Sequence, residues 1–379
     1  MVTSDVLQLA KPSILCLTTI SSCDKLGTGS TGVHNCRFDG ERPPVPVTIY
    51  DVAKEAGVGV GTVSRVLNNN PRVSSETRQR VLQVIERLNF HPSSIAQRLS
   101  LRKTLSIGVL AVYFTRPSVV ERLRGIESVI ADSEYDLMVY NVETPSRRDE
   151  CFRSTASSSR VDGLIVISLA PADEDVGRWA SAGVPVVLVD TLHPTLPCII
   201  VDDISGGYKA TEHLIKLGHT RIGFIGDPIH TAFNFRSSRD RFEGMCRALK
   251  DHGLAFDPAF HQAGEHGRES ARVLTHRLLD LDDSPTAIFA ASDTQAFGVL
   301  QAAKERGIQV PQELSVVGYD DVEMSEYLNL TTVHQPLFDS GLRSVDLLLH
   351  SIDTSDPAPV REQLPVHVIE RSTTARPKN

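Results

Sequence analysis

Arg65 is the residue of this chain whose side chain is best suited to read a nucleic acid. Within residues 60–68, apolar positions recur at helical spacing, so the polar positions share the opposite side of one short helix. That polar side carries Gly61, Ser64, Arg65 and Asn68. An arginine fork donates two hydrogen bonds to a guanine edge in the major groove, and short polar side chains suit phosphate oxygens. The pattern therefore predicts a helix that lies in the major groove of DNA.

Two further helices are needed to hold that helix. The first would begin at Thr48, whose hydroxyl can cap it. The negative charge of Asp51 would interact favourably with the positive N-terminal end of the helix dipole. Gly57 then supplies the bend. A third helix over residues 74–88 turns apolar side chains inward, namely Val81, Val84, Ile85 and Leu88. The sequence therefore predicts a helix-turn-helix domain over residues 47–92.

Periodicity alone does not establish DNA binding, because small helical pairs with a glycine turn also occur in proteins that bind no nucleic acid. The identities of the residues are a more specific signal. The segments DVAKEAGV, TVSRVLN and VSSETRQRVLQVIERLNFHPSSIAQRLS resemble the N-terminal domain of the LacI/GalR family of bacterial transcription regulators. The resemblance implies a homodimer whose paired domains read the two half-sites of a palindromic DNA operator.

Within that arrangement, side-chain chemistry suggests individual roles. Arg65 would contact guanine and Val60 a thymine methyl, whereas Gly61 has no side chain and reads little. Phosphate contacts suit Thr48, Tyr50, Thr62, Ser64 and Asn68. By resemblance, residues 93–104 form a hinge helix or linker in which Leu99 wedges into the minor groove. The alternative is a plain linker with Leu99 packed on a neighbour.

The charge distribution agrees with a DNA-binding module on a different kind of body. Residues 48–104 contain nine Lys and Arg against four Asp and Glu, whereas the whole chain of 379 residues has a net charge of −8. This asymmetry favours phosphate contact through one face, with salt-sensitive affinity. It disfavours a protein that coats nucleic acid over its whole surface.

From Ser106 onward, short β-rich runs alternate with amphipathic helical stretches. The runs are SIGVLAV, YDLMVYN, GLIVIS, PVVLVD, RIGFIG, TAIFAAS and LSVVGYD. This alternation predicts parallel sheets with helices on both faces, and the number of units predicts two lobes.

Residues 218–226 and the segments LSVVGYDD and LTTVHQP resemble the same family. The resemblance implies a two-lobed, periplasmic-binding-protein-like core over residues 105–372, with chain crossings near Asp202, Gln335 and Leu364, and a short tail at 373–379. The predicted fold class is therefore an α-helical helix-turn-helix DNA-binding domain plus an α/β two-lobed core.

A cleft between two such lobes collects strand ends and helix N-termini, and it suits a small polar ligand. The residues predicted to bind that ligand are Ser118, Asp190, Arg241, Ser292 and Asp320. Carboxylates accept hydrogen bonds from hydroxyls, and an arginine fork donates to adjacent oxygens, which is the chemistry that a sugar effector requires. In the family, positions matching Arg241 and Asp320 contact the effector. Asp190 could instead close a strand, and Asp293 could cap the following helix.

Other functions have less support in the sequence. It contains no nucleophile elbow, Cys/His pairing or Walker motif, so we predict neither an enzyme nor a cofactor. His261 and His266 lie in a glycine-containing loop, where a metal site is disfavoured. The alternative from another class is a sugar-binding transport receptor with the same core. The DNA-binding pattern and the poor secretion signal count against it.

The first 46 residues contain two patterns that mislead. Gly27, Gly29 and Gly32 form G-x-G-x-x-G, but no helix pattern follows them, as a dinucleotide site requires. The run before Cys23 matches a lipoprotein signal poorly. We interpret residues 1–46 as a disordered extension or a start placed too early. Scattered cysteines and the lack of an apolar run of about 18 residues predict a cytoplasmic protein without a membrane span.

Overall fold

The computed structural model describes residues 47–67, 70–90, 103–157, 160–228, 233, 235–354 and 359–378. The chain divides into two compact units, residues 1–91 and 92–379. The predictions for residues 1–46, for Asn68 and for Leu99 with most of the hinge lie outside the described residues. No helix of the described part is long and apolar enough to cross a membrane.

The first unit contains three short helices, α1 (Ile49–Ala56), α2 (Val60–Leu67) and α3 (Ser75–Arg87). At the start of α1, the Asp51 carboxylate accepts hydrogen bonds from the backbone amide of Thr48 at 2.8 Å and from its hydroxyl at 2.6 Å. Gly57 ends α1 with a φ of 64°, a left-handed conformation that glycine adopts without strain. Ser74 caps α3 by accepting a hydrogen bond from the backbone amide of Thr77.

The core of this unit consists of the apolar side chains that recur at helical spacing. Its fully or nearly buried members are Val52, Ala53, Ala56, Val63, Val66, Val81, Val84 and Phe90. Because all three helices contribute to it, the helix-turn-helix arrangement follows from one shared apolar face.

The second unit is built on two six-stranded sheets, as far as the described residues show. The sheet of lobe 1 has the strand order β11-β5-β4-β3-β1-β2, and that of lobe 2 has β12-β10-β9-β8-β6-β7. The lobe 1 strands are β1 (Ser106–Val112), β2 (Asp136–Val142), β3 (Gly163–Ile167), β4 (Val186–Val189), β5 (Cys198–Val201) and β11 (Arg361–Leu364). The lobe 2 strands are β6 (Ile222–Gly226), β7 (His261–Ala263), β8 (Ala287–Ala290), β9 (Ser315–Asp320), β10 (Thr331–His334) and β12 (His367–Ile369).

Helices cover the sheets of both lobes. In lobe 1 they are α4 (Pro117–Ile130), α5 (Pro145–Thr155), α6 (Asp173–Ala182) and α12 (Leu337–Asp353). In lobe 2 they are α7 (Asp203–Lys216), α8 (Ser237–Asp251), α9 (Arg268–Leu279), α10 (Asp293–Glu305) and α11 (Glu323–Tyr327). The central strands are buried throughout, which is why they read as continuous apolar runs in the sequence. The predicted fold class, a helix-turn-helix domain plus a two-lobed α/β core, is confirmed.

The chain passes between the two sheets three times: after β5, after β10 and between β11 and β12. The first passage runs through Asp202, the second through Gln335, and the third follows Leu364. Because each passage leaves a strand end, these connections lie beside the cleft between the lobes.

The end of the chain differs from the tail that we expected at residues 373–379. Thr373 is buried, and its backbone carbonyl accepts a hydrogen bond from the backbone amide of Val316 in β9 at 2.8 Å. Ala375 hydrogen bonds to Ser315 and to His219. Residues 373–375 are therefore part of lobe 2, because their backbone groups complete hydrogen bonds that β9 would otherwise lack.

Candidate functional site

The helix α2 presents the side predicted to face DNA. Gly61 and Arg65 are exposed, and Val60, Thr62 and Ser64 are partly exposed. The opposite side is anchored by Val63 and Val66, which are 0% and 2% exposed. The guanidinium of Arg65 is therefore carried by a helix whose other side is fixed in the core.

The notch between the end of α2 and the start of α3 adds residues that the sequence did not single out. It has a volume of about 390 Å³ and is lined by Thr62, Arg65, Asn70, Arg72, Val73, Ser74 and Thr77. Two arginines, three hydroxyl groups and the positive end of a helix dipole meet there. This combination suits an anionic oxygen such as that of a phosphate. The V-S-S-E-T run after Arg72 could have indicated it, because it reads as a helix cap next to basic residues.

Arg78 of α3 fixes the far end of α2. Its Nη2 donates to the backbone carbonyl of Asn70 at 2.6 Å, and its Nη1 donates to that of Val66 at 3.4 Å. The last carbonyls of a helix have no partner within the helix, so a cation at this position satisfies and stabilises them. At the start of the domain, Thr48 is exposed and Tyr50 is 71% exposed.

In the second unit, all five residues predicted to bind a small ligand line one cavity between the lobes. Ser118 is on α4, Asp190 follows β4, Arg241 is on α8, Ser292 precedes α10, and Asp320 ends β9. The structure therefore brings together side chains from both lobes at the carboxyl ends of the strands, where parallel sheets place their ligands.

This cavity is narrow, with a volume of about 60 Å³, which is space for a few water molecules. A second cavity of about 400 Å³ adjoins it and shares Ser168, Asp190, Phe235 and Ser237 with it. The two cavities together form a polar cleft, which is narrow at the first cavity and wider at the second.

Arg241 is the most firmly held side chain of the cavity. Its Nε donates to Asp203 at 2.8 Å, its Nη1 donates to the carbonyl of Ala291 at 2.5 Å, and its guanidinium lies 3.6 Å from the ring centroid of Tyr319. Burial alone would lower the pKa of Arg241, but the Asp203 carboxylate raises it overall, so the group stays charged. Burial raises the pKa of Asp203 to about 6, although Arg241 opposes this.

Asp320 links Arg241 to the second chain passage. Its Oδ1 lies 3.6 Å from Nη1 of Arg241 and accepts a hydrogen bond from Gln335 Nε2 at 2.5 Å. Burial raises the pKa of Asp320, with the neighbouring arginine acting in the opposite direction. Asp320 has a φ of 121°, outside the range that residues other than glycine normally adopt. Such strain is characteristic of residues held for a function.

The helix cap of α10 is Ser292 rather than Asp293, which corrects the alternative considered for Asp293. Ser292 Oγ accepts a hydrogen bond from the backbone amide of Gln295 at 3.2 Å. Asp293 points away from its own helix and accepts hydrogen bonds from Val322 N, Ser325 Oγ and Thr332 Oγ1. Its role is structural, because it ties the start of α10 to α11 and β10.

Several cavity residues were missed by sequence reasoning. Arg122 of α4 is 4% exposed and lies 3.7 Å from Asp190 Oδ2. His266 contacts Asp227 Oδ1 at 3.1 Å, and Gln295 donates to the same oxygen at 3.1 Å. His266 attracted attention only as a possible metal ligand, and no cluster of three or more metal-ligating side chains occurs among the described residues.

Phe235 contributes an aromatic side chain to the lining of the cavity. The guanidinium of Arg116 lies 4.3 Å from the ring of Tyr113 and 5.8 Å from that of Phe235. Arg116 belongs to lobe 1 and Phe235 follows β6 of lobe 2, so this stacking also spans the cleft.

Comparison with known proteins agrees with both units. Residues 48–93 match the family model "Bacterial regulatory proteins, lacI family", and residues 211–374 match "Periplasmic binding protein-like domain". The chain is similar to catabolite control protein A of Priestia megaterium, with 32% identity over 332 residues, which cover 86% of this chain and 99% of that protein.

Two solved structures are similar over most of the chain. The lac repressor dimer bound to operator and the anti-inducer ONPF has a TM-score of 0.78 and 31% identity, with 87% of this chain and 100% of that chain covered. The complex of the transcriptional regulator CelR with cellobiose has a TM-score of 0.64 and 28% identity, with 88% and 100% covered. The chain belongs to the lacI family of bacterial regulatory proteins and is a DNA-binding transcriptional regulator.

Proposed function

We propose that the chain represses transcription by binding a palindromic operator as a homodimer, and that a small sugar-like effector in the interlobe cleft controls this binding. The observation that carries the proposal is the pairing of two sites in one chain. An exposed Arg65 stands on an anchored helix, and a buried cavity lined by Arg241, Asp320 and Asp190 lies between two lobes.

On the DNA side, Arg65 reads guanine by a bidentate contact, and Val60 contacts a thymine methyl. Because Gly61 has no side chain, the helix reads few bases directly. Thr48, Tyr50, Thr62, Ser64 and Asn68 contact phosphates, and the notch residues Arg72 and Thr77 join them. Leu99 wedges into the minor groove at the operator centre.

On the effector side, Ser118, Asp190, Arg241, Ser292 and Asp320 contact the ligand. A sugar is larger than the central volume of about 60 Å³, so binding requires the lobes to move apart or the side chains to rearrange. A ligand that prefers one lobe arrangement shifts the population between arrangements. The relative CelR is described in complex with cellobiose, which supports a sugar as the effector class.

The same core could serve a transport receptor, but a receptor has no use for a DNA-reading unit. We also infer that the chain is not an enzyme and that it acts in the cytoplasm, where its DNA lies. Arg241 at the cleft is held in place by Asp203, Ala291 and Tyr319, which suits a fixed contact to a bound ligand.

Selection of binding sites from a random duplex pool by the purified chain tests the proposal. We expect enrichment of one palindrome, and we expect Arg65→Ala to relax the base preference at symmetric positions while retaining part of the nonspecific affinity. Arg87→Ala, an exposed arginine on α3 paired with Glu55, is the matched control. Failure to enrich any sequence, with and without a mixture of metabolites, would contradict the proposal.

A further inference from the structure

The two lobes are built on the same plan. Their sheets have equivalent strand orders, so β1 corresponds to β6 and β4 to β9. Helix α4 follows β1 and helix α8 follows β6. Each helix carries an arginine three residues before a glycine: Arg122 and Gly125 in α4, Arg241 and Gly244 in α8.

The helix packing places these arginines equivalently. A Cβ added at Gly341 of α12 would lie 2.0 Å from the carbonyl oxygen of Arg122, and one added at Gly207 of α7 would lie 2.0 Å from that of Arg241. In both lobes, a glycine of the partner helix thus touches the backbone of the arginine. The two guanidinium groups are thereby brought to the same cavity.

Each arginine has a carboxylate beside it from the equivalent strand. Asp190 directly follows β4 and has a φ of 61°, and Asp320 ends β9 with a φ of 121°. The closest nitrogen–oxygen distance is 3.7 Å for Arg122 and Asp190 and 3.6 Å for Arg241 and Asp320. Gln335 contacts both pairs, since its Oε1 accepts from Arg122 Nη2 at 3.4 Å and its Nε2 donates to Asp320.

The two arginines differ in how well the protein satisfies them. Arg241 makes hydrogen bonds of 2.8 and 2.5 Å. Arg122 makes only long ones, 3.5 Å to the carbonyl of Ser118 and 3.4 Å to Gln335, and its buried Nε has no partner among the described residues. A buried cationic donor without an acceptor is unfavourable, so a ligand oxygen at this position would relieve a real deficit.

We propose that Arg122, with Asp190 beside it, forms a second ligand-binding pair, equivalent in lobe 1 to Arg241 and Asp320 in lobe 2, and that Arg122 sets the specificity of the cleft for the hydroxyl groups of its effector. Arg122 Nε donates to a ligand oxygen, and the Asp190 carboxylate accepts from a ligand hydroxyl. This assignment rests on the proposed function of the cleft and adds Arg122 as a specificity-determining residue.

The charge balance of the cavity favours an uncharged ligand. Three arginines line it, Arg116, Arg122 and Arg241, against the three aspartates Asp190, Asp227 and Asp320. Hydroxyl groups both donate and accept, so they satisfy an arginine and an aspartate together without adding charge. A carboxylate or phosphate on the ligand would satisfy Arg122 but would repel the aspartate beside it.

The test uses the full chain, with thermal shifts and calorimetric titration against cellobiose, D-ribose and other neutral pentoses, hexoses and disaccharides. Glucuronate and glucose 6-phosphate serve as charged counterparts of glucose. The variants are Arg122→Met and Asp190→Asn, and Arg147→Met, which removes an exposed arginine of α5, is the matched control. We expect a neutral sugar to bind, both cleft variants to weaken it at least about tenfold, and the control to leave it unchanged.

Wild-type affinity in Arg122→Met or in Asp190→Asn would overturn the second pair. Stronger binding of the charged sugars, or no binding by any neutral sugar, would overturn the ligand class. Operator selection with the same preparations separates these failures from failure of the proposed function. A chain that still selects one palindrome remains a DNA-binding regulator with a different effector. If Arg122→Met does not fold, Arg122→Lys decides, because lysine keeps the buried positive charge but has a carbon where Arg122 has its unpartnered Nε.

Discussion

Asp293 is a buried carboxylate next to the cavity-lining residue Ser292, and it serves the protein rather than a ligand. It is 0% exposed and accepts three hydrogen bonds, of 2.6 to 3.0 Å, from α11, the residue before it and β10. Burial, and secondarily the charge of Asp320, raises its pKa to about 7. These contacts order the segment between β9 and β10, which directly follows Asp320, so Asp293 acts on the cleft only indirectly.

Replacement of Asp293 by Asn should lower the free energy of unfolding by about 1–3 kcal/mol, because an amide nitrogen, which cannot accept a hydrogen bond, takes the place of one of the two carboxylate oxygens. Denaturant unfolding of the second unit measures this. Asp282→Asn, at an exposed loop position, is the control and should change the free energy by less than about 0.5 kcal/mol. Equal stability of the two variants would show that the hydrogen bonds of Asp293 contribute little.

Residue types at strand ends were the most informative signal for the cleft. Asp190 and Asp320 each follow an apolar run, which made them visible in the sequence. Arg122 was not visible, since its significance depends on Gln335, which is 213 positions away in the chain. Charged residues within amphipathic helices usually face solvent, so nothing local distinguished Arg122 from Arg124.

At the scale of elements, helix pairs that cross at glycine position both arginines of the cleft. A Cβ at Gly244 would lie 2.1 Å from the carbonyl oxygen of Ile204 and 2.6 Å from the amide nitrogen of Tyr208. Helices α7 and α8 are therefore in backbone contact, and any side chain there must push them apart.

Gly244→Ala should destabilise the second unit by about 1–3 kcal/mol through overpacking. Gly177 lies inside α6 with open space where its Cβ would be, so Gly177→Ala should stabilise the unit by about 0.5–1 kcal/mol. The pair is compared by thermal and denaturant unfolding. The interpretation fails if Gly244→Ala is as stable as Gly177→Ala.

The C-terminal segment is held to lobe 2 by a buried histidine. His219 is 2% exposed, its Nδ1 contacts Thr286 Oγ1 at 2.9 Å, and its Nε2 contacts Ser315 Oγ and the carbonyl of Ala375. Burial lowers the pKa of His219, although the hydrogen bond to Ala375 acts in the opposite direction.

A lowered pKa means that His219 binds a proton less readily in the folded protein than in the unfolded chain, where its pKa is about 6.5. Protonation below this pH therefore favours the unfolded chain. The contribution of His219 to stability is therefore complete well above pH 6.5 and declines as the pH falls below that value. His219→Gln should lose this part of the pH dependence, as measured by unfolding at several pH values. His213 is present in both the wild-type protein and the variant, so the difference between their pH profiles reports on His219. Parallel curves for the two chains would contradict the assignment.

At the scale of the whole molecule, six of the eight inner strands but only one of the four edge strands in the described part of the chain, β2, were predicted as apolar runs. The seven apolar runs identified in the sequence became β1, β2, β3, β4, β6, β8 and β9. The edge strand β11 reads REQL, and β7 reads HQA. Strands covered on both faces need apolar side chains throughout, but an edge strand needs only backbone hydrogen bonds, which any sequence supplies. For the same reason, the integration of residues 373–375 into lobe 2 left no trace in the composition.

The equivalent plan of the two lobes places an arginine and an aspartate of each lobe at the cleft. Arg122 and Asp190 belong to lobe 1, Arg241 and Asp320 belong to lobe 2, and Gln335 lies on a chain passage between them. If a ligand bridges the two pairs, as we propose, its binding free energy depends on the angle between the lobes, which is the requirement for allosteric control.

That control must be reciprocal. If the effector changes operator affinity by some factor, operator DNA must change effector affinity by the same factor, because both paths lead to the same ternary complex. We expect Arg241→Ala to remove the effect in both directions while leaving the affinity for operator in the absence of effector within about twofold. The measurements are operator titrations at zero and saturating effector, and effector titrations with and without operator duplex. Unequal factors would show that a further equilibrium, such as dimer dissociation, takes part, and retention of the full effect in Arg241→Ala would show that Arg241 does not contact the effector.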